Sequence, residues 1–456
     1  MPLRYRRAGG ALAAAALTLG VGACAAYRPS PLAPAPDLKT TAQRLSVDVA
    51  RLRVQPLKAI AIDARDGFDP TEIAVLTVLN SPDLAAKRRA SGVSQAQVFA
   101  AGLLPDPQLT ASVDQPVSGP DTETAYSASL GLDLAGLLAR TYAHRAARQT
   151  ARQADLDLLW AEWSDAQKAR QLAETVLADE ARAAVLRKVL ALAADRYARS
   201  AKALQQRDVT LQTNAADLAV KTDAETQLLT AEHDAQKARR DLNAMLGLRA
   251  DVILPLVAPA ASAGYDESAI VQALASLPRR RPDLLALRAG YGAQDANLRK
   301  AILAQFPLNN IAAAYAKDPA GTTTQGVAAT LAVPIFNGGR GEVRVQQATR
   351  EQLRAEYQAR LDQTDAEVRG AERERAAARK AVGQLSQDVP RLETLTAPAL
   401  AAYDRGDLDS QTYLTLSQNV LSRRADLDDK ILAARLAEIA LETALFLPPA
   451  DARAAP

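Results

Sequence analysis

The chain repeats one arrangement of residues twice, about 200 positions apart. The first copy contains Ser81-Pro82-Asp83-Leu84, and the second contains Arg281-Pro282-Asp283-Leu284. Each tetrapeptide opens a segment of about twenty residues with helical periodicity that stops at a proline. A repeat of this length constrains the fold strongly, because both halves must adopt the same supersecondary plan.

After each proline the spacing of apolar residues changes from helical to alternating. In copy one, Leu109 to Val113 alternate with polar residues, and the alternation returns from Ala128 to Leu134. In copy two it runs from Ile311 to Tyr315 and again from Ala329 to Ile335. This period of two predicts one β-hairpin in each copy, with strands of roughly ten residues, the length that a tilted membrane strand needs.

A very long helical stretch follows each hairpin. Residues 140–204 contain neither proline nor glycine, and at 1.5 Å per residue they predict a helix on the order of 100 Å long. A second stretch runs to Gly247, and copy two repeats the plan over residues 343–446, with Pro390 and Pro398 inside. Ala-rich helices of this length with a thin apolar stripe predict coiled-coil-like walls rather than a compact globule.

The first residues have the pattern of a secretion signal. Three arginines, at positions 4, 6 and 7, precede an apolar run that ends in Val21-Gly22-Ala23-Cys24. The run is too short to span a membrane. Cys24 is the sole cysteine, and its place after the small pair resembles a lipoprotein signal, in which that cysteine is lipidated. The alternative is an ordinary signal peptide that contains a buried cysteine.

Charge and composition exclude several classes of protein. The chain has 55 basic and 52 acidic residues, and removal of residues 1–23 with their three arginines leaves 52 of each. This balance gives no sign of a nucleic-acid-binding surface. One cysteine cannot form an intrachain disulfide. Beyond the signal there is no apolar run of 18 residues, so a membrane crossing would need strands closed into a barrel.

The duplicated plan of helix, hairpin and long helices resembles the outer membrane efflux protein family, the TolC-like outer membrane factors of lipoprotein type. The resemblance covers residues 70 to 447, and it is carried by the two Pro-Asp-Leu sites and by residues 101–105, 242–247, 304–307, 333–340 and 403–406.

The resemblance implies a membrane protein of mixed α and β class. Long helical hairpins would form a periplasmic α-barrel, and four β-strands per chain would contribute to a trimeric, 12-stranded outer-membrane β-barrel. The implied function is the passive exit duct of a tripartite efflux pump in a Gram-negative cell. The implied partners are two further copies of the chain, a periplasmic adaptor, an inner-membrane pump and outer-membrane lipid, with a lipid anchor at Cys24.

The same reasoning predicts the domain organisation. The first copy is expected to span residues 69–247 and the second 276–447. The remaining segments are expected to be a signal peptide (1–23), a proline-rich tether arm (24–68), an inter-repeat linker (248–275) and a C-terminal tail (448–456).

No constellation of residues predicts catalysis, a cofactor or a metal site. The two histidines, His144 and His233, lie on predicted helices without a cysteine or second histidine at ligand spacing. The glycine-rich residues 338–341 lack the Lys-Ser/Thr ending of a phosphate-binding loop and are better interpreted as a bend from strand to helix. Trp160 and Trp163 are expected to pack in the helical wall rather than to form a ligand platform. The chain is therefore not expected to be an enzyme.

A candidate gate lies at the break between the last two long helices. Asp404, Asp407 and Asp409 flank Gly406 there, and Arg405 lies among them. The resemblance puts this turn at the periplasmic tip, where a ring of carboxylates would select cations and basic groups would hold it shut. The corresponding turn of copy one, residues 204–208, is less acidic. The alternative is an ordinary solvated turn.

Two other functions stay open at this point. The chain could be the outlet of a type I protein secretion system, or a lipid-anchored periplasmic adaptor. An adaptor would explain the signal and the long helices, but it would not explain two matched strand pairs entered by proline. The cargo is also open, because residues 101–109 resemble the heavy-metal efflux branch whereas copy two resembles general drug-efflux lipoproteins.

Overall fold

The computed structural model describes residues 27–450, except for residues 64, 121–122, 260–263, 307, 334 and 406 and the side chains at 308, 404 and 410. Cys24 and the predicted signal peptide therefore lie outside the described residues.

The first copy follows the predicted order of elements. Helices α1 (Pro70–Asn80) and α2 (Pro82–Gly102) precede strands β1 (Gln108–Asp114) and β2 (Ala125–Asp133), and the long helices α3 (Leu134–Gln206) and α4 (Leu211–Met245) follow. Asp69 begins α1 by accepting hydrogen bonds from two backbone N–H groups, and Glu72 completes the capping box. Leu134, predicted as a strand residue, is instead the first residue of α3, because the Asp133 side chain caps the helix there.

The second copy repeats this order. After α5 (Glu267–Arg280) come α6 (Pro282–Leu303), β3 (Leu308–Lys317), β4 (Thr323–Leu331), α7 (Arg340–Asp404) and α8 (Ser410–Leu445). Strand β4 ends at Leu331, so the predicted continuation to Ile335 is wrong. Gly338 and Gly339 have φ of 56° and 68°, a left-handed conformation that favours glycine, and they turn the chain into α7 as predicted.

The two hairpins form one antiparallel sheet in the order β1-β2-β3-β4. Strand β2 of copy one pairs with β3 of copy two, with Leu130 opposite Ala313 and Ser129 opposite Ala314. β1 and β4 are consequently the edges of the sheet, and neither pairs with another strand of the described chain.

The helices of each copy meet end to end at a joint. In copy two, the guanidinium groups of Arg280 and Arg281 donate to the carbonyls of Leu445 and Ala444 at the end of α8, at 2.7 and 2.9 Å. In copy one, the end of α4 lies beside the start of α2, where Gly247 has a φ of 67° and faces the ring of Pro82. Position 281 corresponds to Ser81, which only caps α2. The two joints therefore share geometry and differ in charge.

The segment before α1 is more ordered than the predicted tether. Residues 27–38 contain no helix or strand, and their side chains are exposed. From Lys39 onward, however, three short 3₁₀ helices bring Leu45, Leu52 and Leu57 into apolar clusters with α1 and α3. The predicted tether, residues 24–68, is thus too long, because its second half carries buried apolar side chains at irregular spacing.

A third apolar cluster joins the elements of copy two, with Ile270, Leu277, Leu284, Val368 and Leu441 among its buried members. Among the described residues, no helix is both long enough and apolar enough to cross a membrane.

Candidate functional site

The four-stranded sheet carries its large apolar side chains on one exposed face. Residues directly opposite each other in antiparallel strands lie on the same face, so the register defines both faces. The apolar face carries the exposed side chains of Leu109, Val113, Tyr126, Leu130, Leu132, Ile311, Tyr315, Val327 and Leu331. A water-soluble sheet would cover such a face, so this surface requires an apolar environment.

The opposite face of the sheet is polar or small. Gln108, Thr110 and Ser112 of β1 share it with Ser127 and Ser129 of β2, and the strands of copy two add Ala312, Ala314, Ala316, Thr324, Gly326, Ala328 and Thr330. The hydroxyl groups of Ser112 and Ser127 are hydrogen-bonded at 2.9 Å. The only acidic residues of these strands, Asp114 and Asp133, stand at strand ends. The sheet is therefore amphipathic, with one apolar and one polar face.

An aromatic pair and an ion pair lie at the hairpin end of the sheet. The rings of Tyr126 and Tyr315 are stacked with centroids 6.3 Å apart. Beside them, Lys317 forms a salt bridge with Glu123. Tyrosines flanked by charges are typical of the boundary between hydrocarbon and water.

The candidate gate residues lie where predicted, on the turn that joins α7 to α8. Asp404 is the last residue of α7, and Gly406 lies outside the described residues. Arg405 donates from Nε to Asp407 at 2.9 Å, and both side chains are about two-thirds exposed at 65% and 64%. Because the pair is solvated, it contributes little to stability.

Asp409 has a structural role that the sequence reasoning did not identify. Its carboxylate caps α8 by accepting from the Thr412 backbone N–H at 2.9 Å and from the Thr412 hydroxyl at 2.6 Å. These bonds, that of the Thr412 hydroxyl first, lower the pKa of Asp409. The Ser/Thr/Asp preference at helix starts was the available sequence signal. Asp409 is thus committed to the helix end, whereas Arg405 and Asp407 pair with each other.

Sequence reasoning missed a second set of contacts near this turn. Arg199 of α3 donates to the hydroxyl of Tyr403 in α7, and its guanidinium lies 5.5 Å from the centre of that ring. Tyr403 in turn stacks on Tyr413 of α8, with centroids 5.0 Å apart. One turn along α3, Arg196 binds the buried carboxylate of Asp217 at 2.6 Å and reaches Thr415 of α8 at 3.5 Å. These contacts tie the first helical hairpin to the second near their tips.

Arg281 is the buried centre of an ion-pair network at the copy-two joint. Its side chain is 1% exposed and donates to Asp283 at 2.9 Å and to Glu367 at 3.2 Å. Arg360 reaches the same two carboxylates at 2.8 Å each. Burial, followed by the charge of Asp283, raises the pKa of the neighbouring Asp157 on α3. This ion-pair network joins α3, α6, α7 and α8.

The two tryptophans pack as predicted. Trp163 is completely buried, donates from Nε1 to the carbonyl of Thr443 at 3.1 Å, and meets the ring of Phe446 edge-on at 5.2 Å. Trp160 lies under the guanidinium of Arg281 at 4.4 Å. In the described part of the chain, no group of three or more His, Cys, Asp or Glu residues is arranged to hold a metal ion.

The fold matches those of solved outer membrane channels. A membrane protein from Pseudomonas aeruginosa aligns over 93% of this chain and 98% of its own length, with a TM-score of 0.70 and 18% identity. The CmeC outer membrane channel of Campylobacter jejuni aligns over 82% and 85%, with a TM-score of 0.68 and 15% identity. The MtrE outer membrane channel of Neisseria gonorrhoeae, solved in its open state, aligns over 93% and 98%, with a TM-score of 0.65 and 16% identity.

At these identities the likeness shows the fold. The resemblance to outer membrane efflux channels noted in the sequence is confirmed at that level. No family model and no curated protein matches the chain.

Proposed function

We propose that the chain is an outer-membrane channel, the passive exit duct of a tripartite efflux pump. The observation that carries the proposal is a sheet with one exposed apolar face, one polar face and two unpaired edges, in a chain with the fold of outer membrane channels. A lipid environment accommodates the apolar face, and a water-filled lumen accommodates the polar one.

The unpaired edges support assembly as a homotrimer. Backbone N–H and C=O groups cannot stay unpaired in hydrocarbon, so an open four-stranded sheet is unstable there. If β4 of each chain pairs with β1 of the next, three chains close a barrel of 12 strands, and no edge remains.

The long helices then continue the tube into the periplasm. Helix α3 alone has 73 residues, which at 1.5 Å per residue is about 110 Å. At its far end, the turn with Asp404, Arg405, Asp407 and Asp409 would form the gate, held shut by the contacts of Tyr403 with Arg199. A periplasmic adaptor would dock at this tip, and an inner-membrane pump would supply the energy for transport, since the chain carries no catalytic constellation.

The signal sequence supports anchoring of the mature chain by lipid at Cys24. Its glycine-alanine pair directly before the sole cysteine fits lipoprotein processing, and residues 27–38 are exposed and without helix or strand, as a short tether would be.

The proposal is tested with the full-length protein purified in detergent. A channel is expected to run as a heat-sensitive trimer and to give discrete, long-lived conductance steps in planar bilayers. A lipid-anchored adaptor would give neither result. A protein secretion outlet shares the geometry of the duct, and it is distinguished by the cargo that accumulates when the gene is deleted.

A further inference from the structure

Exposed apolar side chains continue beyond the strands, towards the helices. Phe336 is 100% exposed, and Val333 and Ile335 extend the alternation of β4 past its last residue. Further members of this apolar band lie where the other strands meet helices: Leu103, Leu104, Leu138 and Phe306, all of them exposed. The apolar surface therefore extends past the ends of the strands and includes Leu138 in α3.

The ratio of basic to acidic residues changes along α3, just beyond this band. In α3, residues 134–154 include four arginines and no acidic residue, whereas residues 155–206 include eight basic and eight acidic residues. Solvation of a helix does not by itself require an excess of arginine, because residues 155–206 of the same helix carry basic and acidic residues in equal number. The excess of arginine belongs to the end of α3 that adjoins the sheet.

Four of the arginines near the sheet form what we call the basic collar: Arg145 and Arg148 of α3 and Arg340 and Arg344 of α7. All four are exposed, and none has an acidic partner among the described residues. Helix α3 begins directly after β2, and α7 begins at Arg340 after the apolar segment that follows β4. The Cα–Cβ bonds of a helix tilt towards its N-terminus. This tilt allows the guanidinium groups to extend back towards the apolar band.

The distances suit a membrane surface. Arg145 lies seven residues after Leu138, the band residue of α3, which is about 10 Å along the axis, and an extended arginine spans several ångström back towards the band. Arg344 lies about 6 Å from the start of α7. The headgroup layer of a bilayer is roughly 5–8 Å thick on each side of the hydrocarbon. Arg145 and Arg344 are thus within reach of headgroup phosphates next to the apolar band.

We propose that the basic collar binds the phosphate groups of anionic phospholipids in the leaflet on the helix side of the sheet. The apolar band and the collar would together fix how deeply the channel sits in the membrane. The inference rests on the proposed function, because it takes the sheet to lie in lipid. Phospholipid is the fitting occupant because the cationic surface is continuous with the apolar one, as headgroups are with acyl chains.

The test is made on the full-length protein reconstituted in phosphatidylcholine vesicles that carry a trace of spin-labelled lipid. Electron spin resonance measures the fraction of label immobilised at the protein, for phosphatidylglycerol and for phosphatidylcholine. We expect the parent to prefer phosphatidylglycerol roughly two- to five-fold, as expected for arginines at an anionic surface. The preference should fall at 0.5 M salt, because screening shortens the reach of the charges.

Replacement of all four collar arginines by glutamine should bring the preference close to one, and replacement by lysine should retain most of it. The matched control changes four exposed, unpartnered basic residues far from the sheet: Lys188, Lys202, Lys237 and Arg240, all to glutamine. Trimer content on gels, measured for every variant, verifies folding.

The outcomes separate this inference from the proposed function. Equal immobilisation of both lipids by the parent, or equal loss of preference in collar and control variants, refutes the collar while the channel stands. If the glutamine variant does not assemble, the lysine variant and the salt dependence of the parent decide. If the parent immobilises neither lipid, the sheet does not lie in a membrane, and the proposed function fails as well.

Discussion

Placement of an arginine at neighbouring positions of β4 tests the two faces of the sheet directly. Val327 is the middle residue of the nine in β4, is 80% exposed and belongs to the apolar face. Ala328 is its neighbour on the polar face. Val327→Arg and Ala328→Arg introduce the same group one residue apart, so that any difference between them reports the environment of the face.

The structure gives the expected size of the effect. An arginine on the lipid side costs about 2–4 kcal/mol at the bilayer midplane and about 0–1 near the interface. Leu331 is four residues beyond Val327, about 13 Å along the strand and about 10 Å in depth at a tilt near 40°. We therefore expect about 2–4 kcal/mol per chain for Val327→Arg, about 0–1 for Leu331→Arg, and little for Ala328→Arg.

The assay is equilibrium unfolding in urea after refolding into vesicles, with heat-sensitive trimer on gels as a second readout. In a trimer the cost at Val327 is incurred three times, so assembly of that variant should be largely suppressed. Equal stability of Val327→Arg and Ala328→Arg would show that the sheet does not have one lipid face. A cost at Leu331 as large as at Val327 would refute the depth assigned to the strand.

Five further results are expected. Cys24→Ser should abolish labelling of the protein by a clickable fatty acid, and unchanged labelling would refute the lipid anchor. Replacement of Asp404 and Asp407 by alanine should reduce cation selectivity in single-channel recordings, and Arg405→Ser should raise the resting conductance. The lowered pKa of Asp409 means that its cap stabilises α8 at neutral pH and is lost as acid titrates the carboxylate; Asp409→Ala should lose this acid dependence, and Asp409→Ser should keep the cap. Tyr403→Phe removes the acceptor of Arg199 and should raise conductance, whereas Tyr413→Phe keeps the stacked ring and should not. Trp163→Ala should destabilise the protein by about 3–5 kcal/mol in urea titration, because the ring is completely buried.

The periodicity of apolar residues and the positions of prolines predicted most of the helices and strands. Pro82 and Pro282 are the first residues of α2 and α6, and the alternating segments are strands. The ends of the strands were harder to predict from the sequence, because they depend on tertiary contacts. Alternation from Ala329 to Ile335 does not reveal that pairing stops at Leu331, since exposed apolar residues have the same sequence pattern in a strand as in the turn that follows.

The candidate site shows the same limit. The sequence predicted a break between two helices at residues 404–409, and the structure has a turn there. Sequence alone did not separate Asp409, which caps a helix, from Asp407, which pairs with Arg405. The contact of Arg199 with Tyr403 joins residues that are 204 positions apart, and no local sequence pattern predicts it. Buried side chains of residues 39–68 were missed for a related reason, because irregular segments have no period from which burial can be inferred.

The unequal joints of the two copies bear on how such a chain could have arisen. A ring of six identical half-chains would close the same sheet, but every half would then need the same residue at the joint. Gene fusion removes that constraint. Ser81 can remain small, while its counterpart Arg281 forms ion pairs with Asp283 and Glu367 and a hydrogen bond to the end of α8. In the proposed trimer, duplication followed by divergence would lower sixfold symmetry to threefold, and it would allow one helical hairpin of each pair to evolve as the moving part while the other remains its frame.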